Sequence, residues 1–356
     1  MGIESMRKLK IGYWPLTPSL KTPGDRRRLL FWANARGHSI ITNLEQKVDV
    51  IVASVNSDFN SSYFKEKDVP IIFDLVDAYL SPLSSLDDLA RGFAKKVSGQ
   101  ISGSIKPFSH HVKDFCANSS AVICSSIEQE EVIKGYNMNT HVILDSHEEI
   151  PFITRQKSEI SSQKKHRILW EGQPATIRGV KIVSSTLEEL VKTYPLSLDF
   201  VTDEAYFQFL NRYFERKTFG LLEKDLKSVI KCVNIVPWTL ENLVYRAKLS
   251  DLAMIPIDLS IPMQRLKPEN RLLIMWRLGL PCVTSPSPAY MRVSKKAGVA
   301  AVSNTRAEWF ENFSRLLNDP KFAIDEILAG QNYLRENHNE SVILKKWDTA
   351  FESVTG

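Results

Sequence analysis

Short runs of β-branched and apolar residues recur along this 356-residue chain, each separated from the next by a segment of helical spacing. In the first half the runs are LKIGYWP, SIIT, VDVIVAS, VPIIFDLVD, AVICSS and HVILDS. Between them lie RRRLLFWANARG, LDDLARGFAKKV, PFSHHVKDFCANS and EQEEVIKGYN. One such run alone could be a buried strand or part of a buried helix. Their regular alternation argues for a parallel sheet with helices on both faces.

The alternation stops at TRQKSEISSQKKH, which is polar and lacks an apolar period, and then restarts. RILWEG, LSLDFVTD, CVNIVPW, LAMIPID, LPCVTS and VAAVS read as strands. VKIVSSTLEELVKTY, LENLVYRAKLS, ENRLLIMWRLG, YMRVSKKAG and RAEWFENFSRLLND read as helices. The chain is too long for a single core. The expected organisation is a Rossmann-like domain over 1–153, a linker over 154–166, a second Rossmann-like domain over 167–330 and a helical tail over 331–356. Doubly wound sheets bind ligands outside the carboxyl ends of their strands, so two in tandem predict an interdomain cleft. The residues that follow each strand are therefore the candidates.

Net charge is +5, with 24% of residues charged. That balance suits an anionic small molecule and excludes the dense basic stripe of a nucleic-acid binder. The four cysteines have no CxxC spacing, so reduced thiols in a cytoplasm are expected. The amino-terminal MGIESMRKLKIGYW has no apolar core of a signal peptide, and no run of about 18 apolar residues exists. HExxH, a loop DxD, GxSxG and a GxGxxG after a strand are all absent, so no metal and no dinucleotide is expected. The adjacent His110 and His111 point to different helix faces and make a poor metal site.

Three stretches carry a resemblance. WEGQPATIRGVKIV, IVPWTLENLVYRAKLSDLAMIPID and KPENRLLIMWRLGLPCVTSPSPAY resemble, in this order, segments of the nucleotide-sugar domain of retaining, family-4-like GT-B glycosyltransferases. TPGDRRRLLFWANARGH resembles the loop and first helix of their acceptor domain. The resemblance implies hexosyl transfer from a nucleoside-diphosphate sugar to a saccharide or lipid-linked saccharide, with retention and without a cofactor. Nucleotide-sugar binding or epimerisation without transfer is the alternative. The pattern also departs from the family. Where many members carry an E-x7-E pair, this chain has Leu266 and Ile274, and Glu269 is the nearest carboxylate.

A diphosphate leaving group needs fixed cations or helix-start amides. Arg178 and Lys181, at the helix after RILWEGQ, and Arg265 and Lys267, before the helix of ENRLLIMW, are the donor candidates. Glu269 either favours its helix start or grips the donor ribose, and Asn270 either caps or holds phosphate. Trp238, followed by Thr239, either walls the nucleobase or fills the core. In the first domain Asp25 reads as an N-cap, Gly24 offers close backbone approach, and Arg26 can reach phosphate. Asp74 and Asp77 end an apolar strand, where a carboxylate has little structural reason to stand. Asp77 is the catalytic candidate, its alternative being a turn residue. Ser125, Ser126, Asp145, Ser146 and His147 also follow strands. The basic segment 91–113, interspersed with Phe, Val and Ile, either touches an anionic membrane surface or is a solvated helical face.

Overall fold

The computed structural model describes residues 7–43, 45–61, 64, 68–81, 85–155, 165–208 and 214–356. Most of the expected linker, 156–164, lies outside the described residues. The chain forms two compact units. The first holds Met1–His147, Leu266–Pro268 and Glu340–Gly356, and the second holds Glu148–Arg265 and Glu269–Asn339.

The first unit is built on β1 (Lys10–Trp14), β2 (Ser39–Ile41), β3 (Val50–Ser54), β4 (Ile71–Leu75), β5 (Ala121–Cys124) and β6 (Thr140–Val142). They form one parallel sheet in the order β2-β1-β3-β4-β5-β6. Every residue of β3 is buried, as expected of a strand covered on both faces. The order reverses between β1 and β3, so the loops after those two strands flank the switch point.

The second unit is built on β7 (His166–Glu171), β8 (Leu196–Val201), β11 (Val233–Val236), β12 (Leu252–Ile255) and β13 (Cys282–Thr284), all parallel, in the order β11-β8-β7-β12-β13. Its switch point lies between β7 and β12. A separate antiparallel pair, β9 (Ala205–Gln208) and β10 (Phe214–Lys217), was not visible in the sequence pattern. VAAVS is not a strand; Val302 makes a single bridge to Thr284. Residues 174–183 are a 3₁₀ helix, and α-helix begins only at Ser184.

The carboxy-terminal segment is two helices rather than one tail. Pro320–Asn337 packs in the second unit, where Gly330 lies so close to the Trp276 ring that a Cβ would stand 2.4 Å from it. Glu340–Thr355 belongs to the first unit. Its Ile343, Leu344, Trp347, Ala350 and Phe351 join the core of Ile11, Trp32, Val50 and Val52. Asp348 fastens it there, accepting from Trp32 Nε1 at 2.7 Å and from Arg36 at 2.9 and 2.6 Å. Residues 148–155 pack with the second unit. Arg155 is buried and donates to the carbonyls of Ser250, at 2.6 Å, and Ala247.

Candidate functional site: the strand ends of the second unit

The carboxyl ends of β7 and β12 are brought together by small residues. Gly172 follows β7 with φ 157°, and a Cβ there would stand 2.9 Å from Thr176 Oγ1 and 3.2 Å from an Arg271 nitrogen. Gly179, in the 3₁₀ helix, lies against the chain after β12, where a Cβ would be 2.4 Å from the Pro256 carbonyl. The helix thus covers the switch point closely. Arg178 and Lys181 are both exposed on it. A 3₁₀ helix has three residues per turn, so positions i and i+3 eclipse and these two cations share one side.

A second group sits at the start of the helix Asn270–Arg277. Arg271 donates to the Glu171 carbonyl at 3.2 Å and hydrogen-bonds the buried Tyr290 hydroxyl. Burial is the main reason that the Tyr290 pKa is pushed up to about 12, which keeps it a neutral phenol. Trp238 donates through Nε1 to Glu171 Oε1 at 2.9 Å and is half-buried. It is therefore not a core tryptophan, and it clamps the last residue of β7. Thr239 Oγ1 accepts from Asn242 N at 3.0 Å and caps the helix Leu240–Leu249. Glu269 is buried, with Arg292 at 3.8 Å. Asn270 does not cap its helix, and its Oδ1 is buried without a hydrogen bond. Arg265 Nε donates to the Leu259 carbonyl at 2.5 Å, closing its own loop. Lys267 is half-buried and clusters with the first unit.

Glu171 and Arg271 were not among the sequence candidates. Glu171 could have been found, because it stands directly at a strand end. Arg271 could not, since only folding carries the first turn of its helix to β7.

In the first unit the readings change. Asp25 is not an N-cap but the third residue of the short helix Pro23–Arg26. It is fully buried and accepts from Tyr13 Oη (2.7 Å), Leu16 N (2.8 Å) and Thr22 Oγ1 (2.5 Å). It therefore organises the loop after β1. Asn56, after β3, ties into the same loop by donating to the Leu16 carbonyl at 2.7 Å. At Gly24 a Cβ would meet Leu16 Cδ1 at 2.4 Å, which gives this glycine a packing reason. Arg26 donates to the Lys21 carbonyl at 2.7 Å.

Asp74 does have a structural reason. The fully buried Arg28 reaches its two oxygens at 2.6 and 2.9 Å. The same guanidinium donates to the Ile143 carbonyl at 2.7 Å and to Asp145 at 3.2 Å. Asp77, by contrast, is exposed. Its backbone carbonyl accepts from Gln129 Nε2 at 3.0 Å and from Tyr79 N at 2.8 Å, which holds the turn while the carboxylate faces out. Ser126 caps the helix Ile127–Ile133 and donates to the Leu266 carbonyl at 2.6 Å. Ser125, Asp145, Ser146 and His147 are buried. His110 is exposed and His111 buried, the burial lowering its pKa. Among the described residues no three His, Cys, Asp or Glu side chains group to hold a metal.

No protein-family model matches the sequence, and no curated protein matches it either. Solved structures do. HepE from Anabaena, crystallised with UDP and glucose, superposes with a TM-score of 0.65 at 12% identity over 97% of this chain and 100% of its own. WaaG, a glycosyltransferase involved in lipopolysaccharide biosynthesis, matches with a TM-score of 0.58 at 13% identity over 98% of this chain and 100% of its own. The chain has the fold of the GT-B glycosyltransferases. TarM matches with a TM-score of 0.59 at 12% identity over 85% of this chain, which spans only 54% of the TarM chain, about half its length. At these identities the likeness is one of fold, and the GT-B assignment rests on that fold and on the doubly wound sheet of each unit.

Proposed function

We propose that this protein transfers a hexosyl group from a nucleoside-diphosphate sugar to a hydroxyl of a saccharide or lipid-linked saccharide, with retention, in polysaccharide or glycoconjugate synthesis in the cytoplasm. The observation that carries the reading is the eclipsed pair Arg178 and Lys181 over the switch point of the second sheet. Two fixed cations on one side suit a diphosphate better than any single charge does. The UDP bound in HepE, and in a TarM variant, fits the same ligand class.

In this reading the bond between the anomeric carbon and the phosphate oxygen breaks, and the acceptor oxygen bonds that carbon. The acceptor proton passes to an oxygen of the departing diphosphate, so no strong protein base is required. The apolar Ile274 and Leu266 are compatible with that route. Arg178, Lys181, Arg265 and Lys267 bear on the diphosphate, and Glu269 and Asn270 on the donor. Trp238 positions the end of β7 through Glu171. Asp77 holds the acceptor hydroxyl.

A thermal-shift screen of nucleotide sugars tests the donor, since a ligand that binds only the native state raises the melting point. Lys267→Ala is expected to weaken UDP or GDP binding more than tenfold, about 1.4 kcal/mol. Calorimetry that gives unchanged affinity for both nucleotides removes Lys267 from the site. Asp77→Asn is expected to lower kcat by about a hundredfold while donor affinity stays within about twofold. Equal kinetics in the two forms would leave Asp77 as a turn residue. A new glycosidic product from an acceptor panel arises only from transfer, which separates it from binding or epimerisation.

A further inference from the structure

Two cations of the helix Ser85–Val97 are turned inward and left without a counter-charge. Arg91 and Lys95 are four residues apart, so they share one face of that helix. Tyr79, from the turn after β4, and Phe108 pack edge to face at 5.3 Å. The Arg91 guanidinium stands over the Tyr79 ring at 5.5 Å, and Lys95 Nζ over the Phe108 ring at 4.6 Å. Both cations are half-buried, and Arg91 Nη1 is buried without a hydrogen bond. Burial, with the Arg91 charge added to it, pushes the Lys95 pKa down to about 8. The acids of the same helix and of the adjoining loop are occupied elsewhere or face out. Asp88 accepts from Ser109 N at 3.0 Å and Ser109 Oγ at 2.5 Å. Asp58 accepts from Asn60 N at 3.2 Å and Ser102 N at 2.9 Å. Asp87 is exposed in the first turn of the helix.

The pair sits where a doubly wound sheet takes its ligand. Lys95 donates to Gln100 Oε1 at 2.8 Å, and Gln100 Nε2 donates to Asn56 Oδ1 at 2.6 Å. Asn56 lies in the loop after β3 and donates to the Leu16 carbonyl in the loop after β1. This run of hydrogen bonds therefore ends at the switch point of the first sheet. Tyr79 follows Asp77 by two residues, and burial and then the Asp77 charge raise its pKa. A guanidinium and an ammonium on one face can share a single oxyanion, the first through parallel N–H bonds and the second as a point charge. Half-buried like charges repel, and an anion bound between them relieves that repulsion. We propose that Arg91 and Lys95 hold the oxyanion of an acidic saccharide acceptor, a carboxylate or phosphate ester carried by the sugar. Asp77, in the same turn as Tyr79, points to a saccharide rather than to a free anion, because one such molecule brings both an acid for the cations and a hydroxyl for the carboxylate. Calling the ligand the acceptor rests on the transferase reading, whereas the anion site does not.

The test is the rate at which acetic anhydride acetylates Lys95 in the full chain at about pH 8, where the amine is partly neutral, read by mass spectrometry of peptides. Glucuronate and glucose 6-phosphate are the probes, with glucose and inorganic phosphate as controls at constant ionic strength and the exposed Lys248 as internal reference. At about 50 mM, both acidic sugars are expected to slow Lys95 acetylation at least about fivefold, and glucose to leave it unchanged. In R91M the protection is expected to fall below about twofold, and R91K, which keeps the charge, to restore part of it. Unchanged melting points confirm that both variants are folded. Protection that glucose gives equally, protection that survives R91M, or no protection at all overturns the proposal. Protection by inorganic phosphate as strong as that by glucose 6-phosphate, with none by glucuronate, leaves an adventitious anion site only and overturns the acceptor assignment. Transfer to neutral acceptors with kinetics that R91M does not change overturns the proposal while the transferase reading stands. Protection by both acidic sugars with no transfer to any acceptor removes the transferase reading and keeps the anion site.

Discussion

Replacing Arg28 with methionine is expected to lower the unfolding free energy by about 3–5 kcal/mol, the usual effect of removing one partner from a buried ion pair. Arg28 is the only cation shown bonded to Asp74 among the described residues, and it also reaches Asp145 and the Ile143 carbonyl. The variant would leave two carboxylates in the interior without their guanidinium. The defect is also expected to depend on pH. Burial already raises the Asp145 pKa, against the opposing pull of Arg28 and Arg27. A carboxyl whose folded pKa is raised contributes stability below its unfolded value, near about 4, and loses it as pH rises through the folded value. Without Arg28 that folded value climbs further. The deficit of the variant should therefore be larger at about pH 8 than at about pH 5. Urea unfolding at both pH values checks this, and a deficit below about 1 kcal/mol, or one independent of pH, contradicts it.

The R178A/K181A variant is expected to raise the Kd for a nucleoside diphosphate by about a hundredfold, roughly 1.4 kcal/mol for each cation. Neither side chain is buried, so folding stability should change by no more than about 0.5 kcal/mol. That combination separates a binding role from a structural one. In the wild type the affinity should also fall with salt, because exposed charges are screened. Calorimetry with UDP and with GDP reads all of this. If the double variant binds both as the wild type does, the 3₁₀ helix is not the diphosphate site and the donor reading fails with it.

Much of the fold was legible because its signal is local. A run such as VDVIVAS is apolar on both faces, and its regular alternation with helical segments marks it as a strand buried on both faces. The helix Phe108–Asn118 follows from spacing, and Leu240–Leu249 and Arg306–Asn318 from spacing and from the caps Thr239 and Thr305. VAAVS failed because a β-rich string is a strand only if a partner edge lies beside it. The 3₁₀ helix failed because TIRGVKIV has α-helical spacing, while Gly179 tightens against Pro256, nearly eighty residues away.

Among the candidate site residues, Arg178 and Lys181 could be named from the sequence because chain order alone puts them after a strand. Their three-residue spacing puts them on one side of the helix. Asp74 looked out of place at a strand end only because its partner, Arg28, is distant in sequence. Asp25 looked like a cap because its true donors lie at the end of β1 and in the loop after it, up to twelve residues earlier.

The sequence by itself determined the alternation of strands and helices, the two sheets and the strand ends where a ligand belongs, since periodicity and turn chemistry act over a few residues. Only the tertiary structure decided which charges are spent on each other and which stay exposed. It paired Arg28 with Asp74, clamped Glu171 with Trp238 and returned the last helix to the first unit. Desolvation and pairing depend on what folding brings alongside a side chain, and no local pattern carries that information.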